Sequence, residues 1–337
     1  MPDSTPATAC NTFDPALPWF PEAMKTAYTS SGGMSKSIKF AVALVMGLCA
    51  FCYVYAPARL AALVLLGRSP ACPMARAIHS DDELRTQIAN KDRILSASKL
   101  LEKDPSGYHL WDTPHGRFWI PRGSDYVLPF NLAEQERKIY GVGEQDVHAG
   151  DIVLDCGANV GVYTREALKN GAKIVVSIEP APENIECLRR NFASEIAAGR
   201  VILYPKGVWD KDEMLVMRVD PDNSAADSFI IRRTGAIETK QLPLTTIDKL
   251  VAELKLERVD YIKMDIEGAE QRALQGARET LAKYHPRMAL AAYHVPSDPE
   301  KMPQLVHQAW PNYRMQCGPC AEANGYVRPD VMYFQSY

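Results

Sequence analysis

The sequence predicts a doubly wound α/β domain: a mostly parallel sheet of seven strands, helices on both faces, and an antiparallel C-terminal strand. Three observations carry this. From Gly150 onward, short apolar runs alternate with helix-length segments, and such βα units wind into a parallel sheet. The first run ends in the glycine turn Asp155-Cys156-Gly157-Ala158-Asn159-Val160-Gly161 before a helix begins. The last two runs, Tyr313–Cys317 and Val331–Gln335, are joined by a turn with no helix between them, which makes them neighbours of opposite direction.

The elements follow in order. Met1 to Gly33 is rich in Pro, Ser, Thr and Ala without sustained period, so residues 1–35 form a leader. Residues 36–67 form a membrane-anchoring segment. Phe40 to Ala58 carries no charge and has about the 20-residue length that crosses a bilayer core. Lys36, Lys39 and Arg59 flank it, and Tyr53 and Tyr55 stand at interfacial positions. Leu60 to Leu66 extends the apolar character, placing the membrane contact at residues 40–66. A signal peptide starting at Met34 and a buried core helix are the competing readings. The flanking charges are balanced, so they set no orientation.

Residues 80–149 read as an N-terminal cap: a helix near Asp81 to Lys103, a hairpin around Pro114-His115-Gly116, and a short helix from Leu132 to Tyr140. In the domain at 150–337, strands are expected at Ile152–Leu154, Ile174–Ile178, Val201–Tyr204, Tyr261–Met264 and Arg287–Tyr293. Helices are expected through Lys169 and over 182–198, 246–254, 269–284 and 299–310. Met214–Val219 and Phe229–Ile231 read as an inserted hairpin.

Composition narrows the function. The chain has 337 residues, 47% hydrophobic and 23% charged, which are globular values. Its 38 basic and 41 acidic residues are well mixed and give a net charge of −3, so it lacks the basic face that nucleic acid demands. Eight cysteines are too few for a disulfide scaffold and read as buried reduced thiols. Cys317-Gly318-Pro319-Cys320 has the spacing of a dithiol motif, but it follows a late strand and reads as a turn.

The glycine turn after the first strand lets a ligand approach the backbone closely and offers unpaired N–H groups at the helix start. It lacks the Gly-x-Gly-x-x-Gly spacing that cradles a pyrophosphate, which favours a nucleoside without phosphate: S-adenosylmethionine. Asp155, Gly157, Asn159 and Gly161 are the expected cofactor-binding residues, the alternative being a tight turn that binds nothing. Glu179 ends the second strand 18 residues past Gly161, where an acid accepts ribose hydroxyls. A solvated carboxylate is its plain alternative.

With Tyr261-Ile262-Lys263-Met264-Asp265-Ile266-Glu267-Gly268-Ala269-Glu270 and Leu244-Thr245-Thr246-Ile247-Asp248, the pattern resembles the FkbM-type methyltransferase family over roughly Gly150 to His294. Met264 departs from it, standing where a small β-branched residue is usual. The resemblance implies a Rossmann-like methyltransferase fold and an S-adenosylmethionine-dependent O-methyltransferase, its acceptor a hydroxyl-bearing small molecule, glycan or glycolipid.

Methyl transfer requires an aligned acceptor oxygen and a group to take its proton. Asp265 is the first candidate for that base, with Glu267 and His294 behind it. Glu267 can alternatively serve the start of the following helix, Lys263 can pair with one of the acids, and His294 can be a satisfied polar group. A divalent metal at Asp265 and Glu267 is an alternative, but no further ligand set with convincing spacing is present, so no metal is expected. Because the cofactor is cytosolic, the anchored domain is expected to face the cytoplasm. The other readings are a NAD-type oxidoreductase and a membrane thiol-redox protein using Cys317 and Cys320. Acceptor and oligomeric state are not encoded legibly.

Overall fold

A computed structural model describes residues 35–336; the expected leader lies outside them, apart from Ser35. The described chain divides into two units after Val54. In the first, α1 (Lys36–Val54) is a 19-residue helix with its side chains largely exposed, long and apolar enough by composition to cross a membrane.

The second unit begins with α2 (Ala56–Leu65), whose start is set by Pro57 in its first turn. Here the expectation of apolar character spread along a membrane surface changes. Leu60 is fully buried among Cys72, Ala77, Cys317, Cys320 and Val327, while Leu65 and Leu66 stay exposed. The short α3 (Met74–Ala77) leads to α4 (Ser80–Ala97), which carries Asp81, Asp82 and Glu83 in its first turn, where acids suit the helix dipole. The predicted helix to Lys103 stops at Ser98, because Lys99–Asp104 pairs as β1 with β2 (Tyr108–Thr113). The hairpin of β2 with β3 (Gly116–Pro121) turns at Pro114-His115 as expected. Helix α5 (Val127–Glu136) starts five residues before its predicted position. This cap buries Ile94, Phe118, Ile120, Leu128 and Leu132 against Val160 and Val162 of the main domain.

The main domain runs β4 (Ile152–Cys156), α6 (Val162–Lys169), β5 (Ile174–Ile178), α7 (Pro182–Asn191), α8 (Ala193–Ala197) and β6 (Val201–Tyr204). An inserted sheet follows, of β7 (Gly207–Val208), β8 (Glu213–Val219) and β9 (Ile237–Thr245), in the order β7-β9-β8. The expected partner of β8 at Phe229–Ile231 is not a strand. Near it only Arg218 and Ser228 bridge, and β9 takes the ladder instead.

The chain continues through α9 (Ile247–Glu253), β10 (Tyr261–Met264), α10 (Glu270–Gln275), α11 (Arg278–Tyr284), β11 (Arg287–Ala291), α12 (Asp298–Ala309) and β12 (Tyr313–Cys317). The predicted single helix over 269–284 breaks at Gly276, where a Cβ would sit 2.1 Å from the Trp209 carbonyl oxygen. After β12 the expected turn is itself a hairpin, β13 (Cys320–Ala323) with β14 (Tyr326–Pro329), before β15 (Val331–Ser336) closes the chain.

The seven-stranded sheet has the order β12-β15-β11-β10-β4-β5-β6, with β15 antiparallel to both of its neighbours and the pairs from β11 to β6 parallel. This is the doubly wound sheet expected from sequence. The central strands are buried on both faces: Leu154, Val176, Ile262 and Leu290 on one side, Val153, Val175, Tyr261 and Ala289 on the other. That burial explains their mostly apolar sequences, with Asp155, Ser177 and Lys263 as the buried polar exceptions. The parallel strands β4, β5, β10 and β11 therefore end at one edge, and the conserved geometry of such sheets places ligands there.

Candidate active site

Two strand ends meet at that edge. Gly157 follows β4 with φ of 77°, and a Cβ on it would lie 1.9 Å from the Asp265 carbonyl oxygen. Only glycine lets the turns after β4 and β10 cross so closely. Asn159, also left-handed at φ 49°, donates through Nδ2 to the Ser224 carbonyl at 3.0 Å. These residues border a cleft with a cavity volume of about 60 Å³, whose opposite walls include Glu179, Val208, Met217, Asp227, Phe229, Asp265 and Glu267. Its lining mixes apolar side chains with a few carboxylates and backbone groups, the composition of a site for a small organic ligand.

Glu179 is buried, and its carboxylate accepts the N–H groups of Asn159 at 2.9 Å and Ala181 at 3.0 Å. Burial pushes its carboxyl up to about 7, the N–H donors pulling the other way. Asp227 is held similarly: burial raises it to about 8, against a hydrogen bond from the Asp220 N–H. Its Oδ2 is buried beside the cleft with no hydrogen-bond partner, a condition that invites a ligand donor.

Two of the expected cofactor residues stand back from the cleft. Asp155 is fully buried beneath it, accepting from Thr164 Oγ1 at 2.7 Å and facing Lys263 Nζ at 3.4 Å. Strand alternation aims its side chain at the α6 side of the sheet. The Lys263 ammonium beside it donates to the Gly157 carbonyl at 2.9 Å. Burial disfavours that ammonium, but Asp155 and Asp265 outweigh burial and hold its pKa above the ordinary lysine value. Gly161 is a packing residue: with φ of 91° it caps α6, and a Cβ would lie 2.1 Å from the Phe192 ring.

The three expected catalytic residues come together, because β10 and β11 are parallel neighbours. The imidazole Nε2 of His294 lies 3.5 Å from Asp265 Oδ1 and 3.4 Å from Glu267 Oε1, and its Nδ1 lies 3.0 Å from Glu270 Oε1. Burial works against a charged imidazole, yet Glu267, Glu270 and Asp265 prevail and raise His294 well above its usual range. Burial likewise opposes ionisation of Asp265, but Lys263 and His294 hold it below the ordinary carboxylate value. Tyr140 donates to Asp265 Oδ2 at 2.6 Å.

The helix-start role considered for Glu267 belongs to Glu270, whose Oε1 accepts the Ile266 N–H at 3.0 Å. Glu267 instead stands at φ 55° beside Gly268 and pairs with Arg233 at 2.7 Å. Ser228 Oγ secures this turn by donating to the Glu267 carbonyl at 2.7 Å. Asp265, Glu270 and His294 also offer one ligand atom each within 4.8 Å of one another, a set that could take a divalent cation, and Asp265 Oδ1, Glu270 Oε2 and His294 Nε2 are buried without a hydrogen-bond partner.

Tyr140, Asp227 and Arg233 were not anticipated. Tyr140 belongs to the cap, and the other two to the segment between β8 and β9. That segment is fastened over the cleft: Ser124 and Ser224 hydroxyls lie 3.0 Å apart, and Arg233 donates to the Ala226 carbonyl.

Comparison with known proteins fits this geometry. Residues 155–315 match the model of the methyltransferase FkbM domain. This part of the chain belongs to the FkbM methyltransferase family. Among FkbM relatives, the chain is 28% identical over 162 residues to the 31-O-demethyl-FK506 methyltransferase FkbM of Streptomyces tacrolimicus, covering 40% of this chain and 62% of that protein. It is 30% identical over 152 residues to the 2-O-methyltransferase NoeI of Sinorhizobium fredii (strain NBRC 101917 / NGR234), covering 39% and 59%. Against the hexuronic acid methyltransferase AglP of Haloferax volcanii it is 25% identical over 202 residues, covering 56% and 80%. The matched stretch thus spans about three fifths of the first two relatives.

Proposed function

We propose that this protein is an S-adenosylmethionine-dependent O-methyltransferase acting on a hydroxyl of a sugar, glycolipid or secondary metabolite. One observation carries the reading: a single cleft joins a glycine turn and a strand-end carboxylate on β4 and β5 to the ionised Asp265 beyond β10. The names of two relatives specify transfer to oxygen.

The close approach allowed at Gly157, the acceptor oxygens of Glu179 and the unpartnered Asp227 Oδ2 fit a nucleoside that carries hydroxyl and amino donors. Bound there, the cofactor supplies a methyl group already activated on a sulfonium. The protein's task is alignment and proton removal. Asp265 Oδ1 reaches the cleft ionised and is the group to take or orient the acceptor's proton, an effect of about 10²–10⁴-fold in such reactions. His294, whose imidazole the neighbouring carboxylates raise above its usual range, lies between Asp265 and Glu267 and positions them. Arg233 and the segment around it screen Glu267 from water.

In this reading α1 anchors the chain, with the catalytic unit on the cytoplasmic side where the cofactor is found. The length and apolar composition of α1 support it as the anchor, and the burial of Leu60 supports assigning α2 to the catalytic unit. Calorimetry of the full chain in detergent with S-adenosylmethionine and S-adenosylhomocysteine tests the core of the proposal. Saturable heat with both, and none with NAD, is expected. Binding of NAD alone would overturn it. Label from methyl-labelled cofactor should then enter a hydroxyl-bearing fraction of a lipid and glycan extract.

A further inference from the structure

A second chemical centre lies away from the cleft, in the cluster where α2 meets the β13–β14 hairpin. Cys72 and Cys320, 248 residues apart, form a disulfide. The Cys317 thiol sits against both ends of it, 3.6 Å from Cys72 Sγ and 3.5 Å from Cys320 Sγ. All three residues are buried, in a pocket completed by Leu60, Ala77 and Val327. A lone structural bridge needs no third thiol, and this one lies within reach of either sulfur. Exchange proceeds by attack of a thiolate on one sulfur of a disulfide, expelling the other.

We propose that Cys72, Cys317 and Cys320 form a thiol–disulfide exchange site in which Cys317 can take over either end of the bridge. Attack on Cys72 Sγ forms the Cys72–Cys317 bond, breaks Cys72–Cys320 and releases Cys320 as the thiolate, which takes up the proton Cys317 gave up. Attack on Cys320 Sγ forms the Cys317–Cys320 bond inside the Cys-Gly-Pro-Cys turn and releases Cys72. Neither route changes the number of electrons held. Complete opening consumes an external dithiol, which is oxidised to its own disulfide as two protein thiols form.

The two routes differ in what they do to the fold. Cys72 belongs to the segment following α2, whereas Cys317 and Cys320 belong to the C-terminal part of the sheet. The first route keeps that segment covalently tied to the catalytic core; the second frees it. Non-covalent ties remain, among them Arg59 to Glu322 at 3.0 Å and the Val327 N–H to the Arg68 carbonyl at 2.9 Å. Burial pushes the Cys317 thiol up to about 11, with Arg76 drawing it down and Asp330 adding to the rise. The shuttle thiol therefore rests protonated until the hairpin loosens.

Non-reducing peptide mapping of the full chain, with thiols trapped by N-ethylmaleimide in denaturant, tests the site. Trypsin leaves Cys72 on the peptide 69–76 and both other cysteines on 315–337. Protein isolated without reductant should show these peptides cross-linked, with one trapped thiol. After limiting dithiothreitol, an unlinked 315–337 peptide carrying its own disulfide should appear beside trapped Cys72. In Cys317→Ser that product should vanish, and opening of the bridge by a fixed dithiol concentration should slow at least tenfold. In Cys72→Ser the Cys317–Cys320 bond should form directly. Trapped thiols at all three of Cys72, Cys317 and Cys320 in the untreated chain, one zinc per chain by elemental analysis, or a Cys72–Cys320 link that opens at the same rate with and without Cys317 would each overturn the proposal.

Discussion

Replacing Gly157 by alanine tests the crossing of the two strand-end turns directly. The added Cβ would meet the Asp265 carbonyl oxygen at 1.9 Å, and the backbone φ is 77°. An L-residue in that left-handed region costs roughly 1–2 kcal/mol. The oxygen is backbone at the end of β10, so relief requires separating β4 from β10 by more than an ångström, and such overpacking costs about 1–3 kcal/mol. The sum, roughly 2–5 kcal/mol, should lower the melting temperature by about 5–15 °C for a domain of this size. Differential scanning calorimetry measures the drop, and titration calorimetry on the folded fraction measures cofactor binding, which should be lost. Gly161→Ala is the control. Its Cβ would strike the Phe192 ring, so it should destabilise comparably yet leave binding per folded molecule intact. A Gly157→Ala protein that melts within a degree of the parent and binds normally would refute the crossing as described.

Other expectations follow from the charges. His294→Gln leaves three facing carboxylates without their cation and should cost about 3–5 kcal/mol. Because His294 is raised in the folded state, its contribution is complete below about pH 6.5 and is lost as pH climbs through the folded value; urea melts at pH 6 and pH 9 should show the larger penalty at pH 6. Glu179 is raised to about 7, so the folded chain holds a proton there that the unfolded chain has released, and stability falls as pH rises between about 4.5 and 7; Glu179→Gln should flatten that slope in denaturant titrations and weaken cofactor binding above pH 7. Asp265→Asn should lower labelled-methyl transfer by about 10²–10⁴-fold while cofactor binding in calorimetry stays within a few-fold.

Much of this arrangement was readable in the residues, for identifiable reasons. The sequence places strands β5, β6 and β10 to the residue, because each is a short, mostly apolar run bounded by polar or turn residues. The meeting of Asp265, Glu267 and His294 follows from two parallel strands ending at one edge, although about thirty residues separate the acids from the imidazole. Lys99–Asp104 misled because its outward-facing charges fit a helix as well as an edge strand, and only pairing with β2 decides. Phe229–Ile231 was taken for a strand because its apolar character mimics one, yet Ile237–Thr245 won the ladder through longer pairing. Gly161 carries the same glycine signal as Gly157; neighbours distant in sequence, Phe192 and Asp265, separate packing from ligand approach. Tyr140, Asp227 and Arg233 reach the cleft from the cap and the inserted segment, whose placement depends on tertiary contacts that no local pattern announces.

The segment between β8 and β9 is secured over the cleft by polar fasteners: the Ser124–Ser224 hydroxyl contact, Asn159 to the Ser224 carbonyl, Ser228 to the Glu267 carbonyl, and Arg233. Each such bond is worth about 1 kcal/mol net, since water replaces it when it breaks. Opening a wall fastened this way costs a few such bonds, and active-site loops that open move on the microsecond-to-millisecond timescale. Under the proposed methyl transfer, weakening any one fastener should speed release of the demethylated cofactor, which stopped-flow measurement of product dissociation checks.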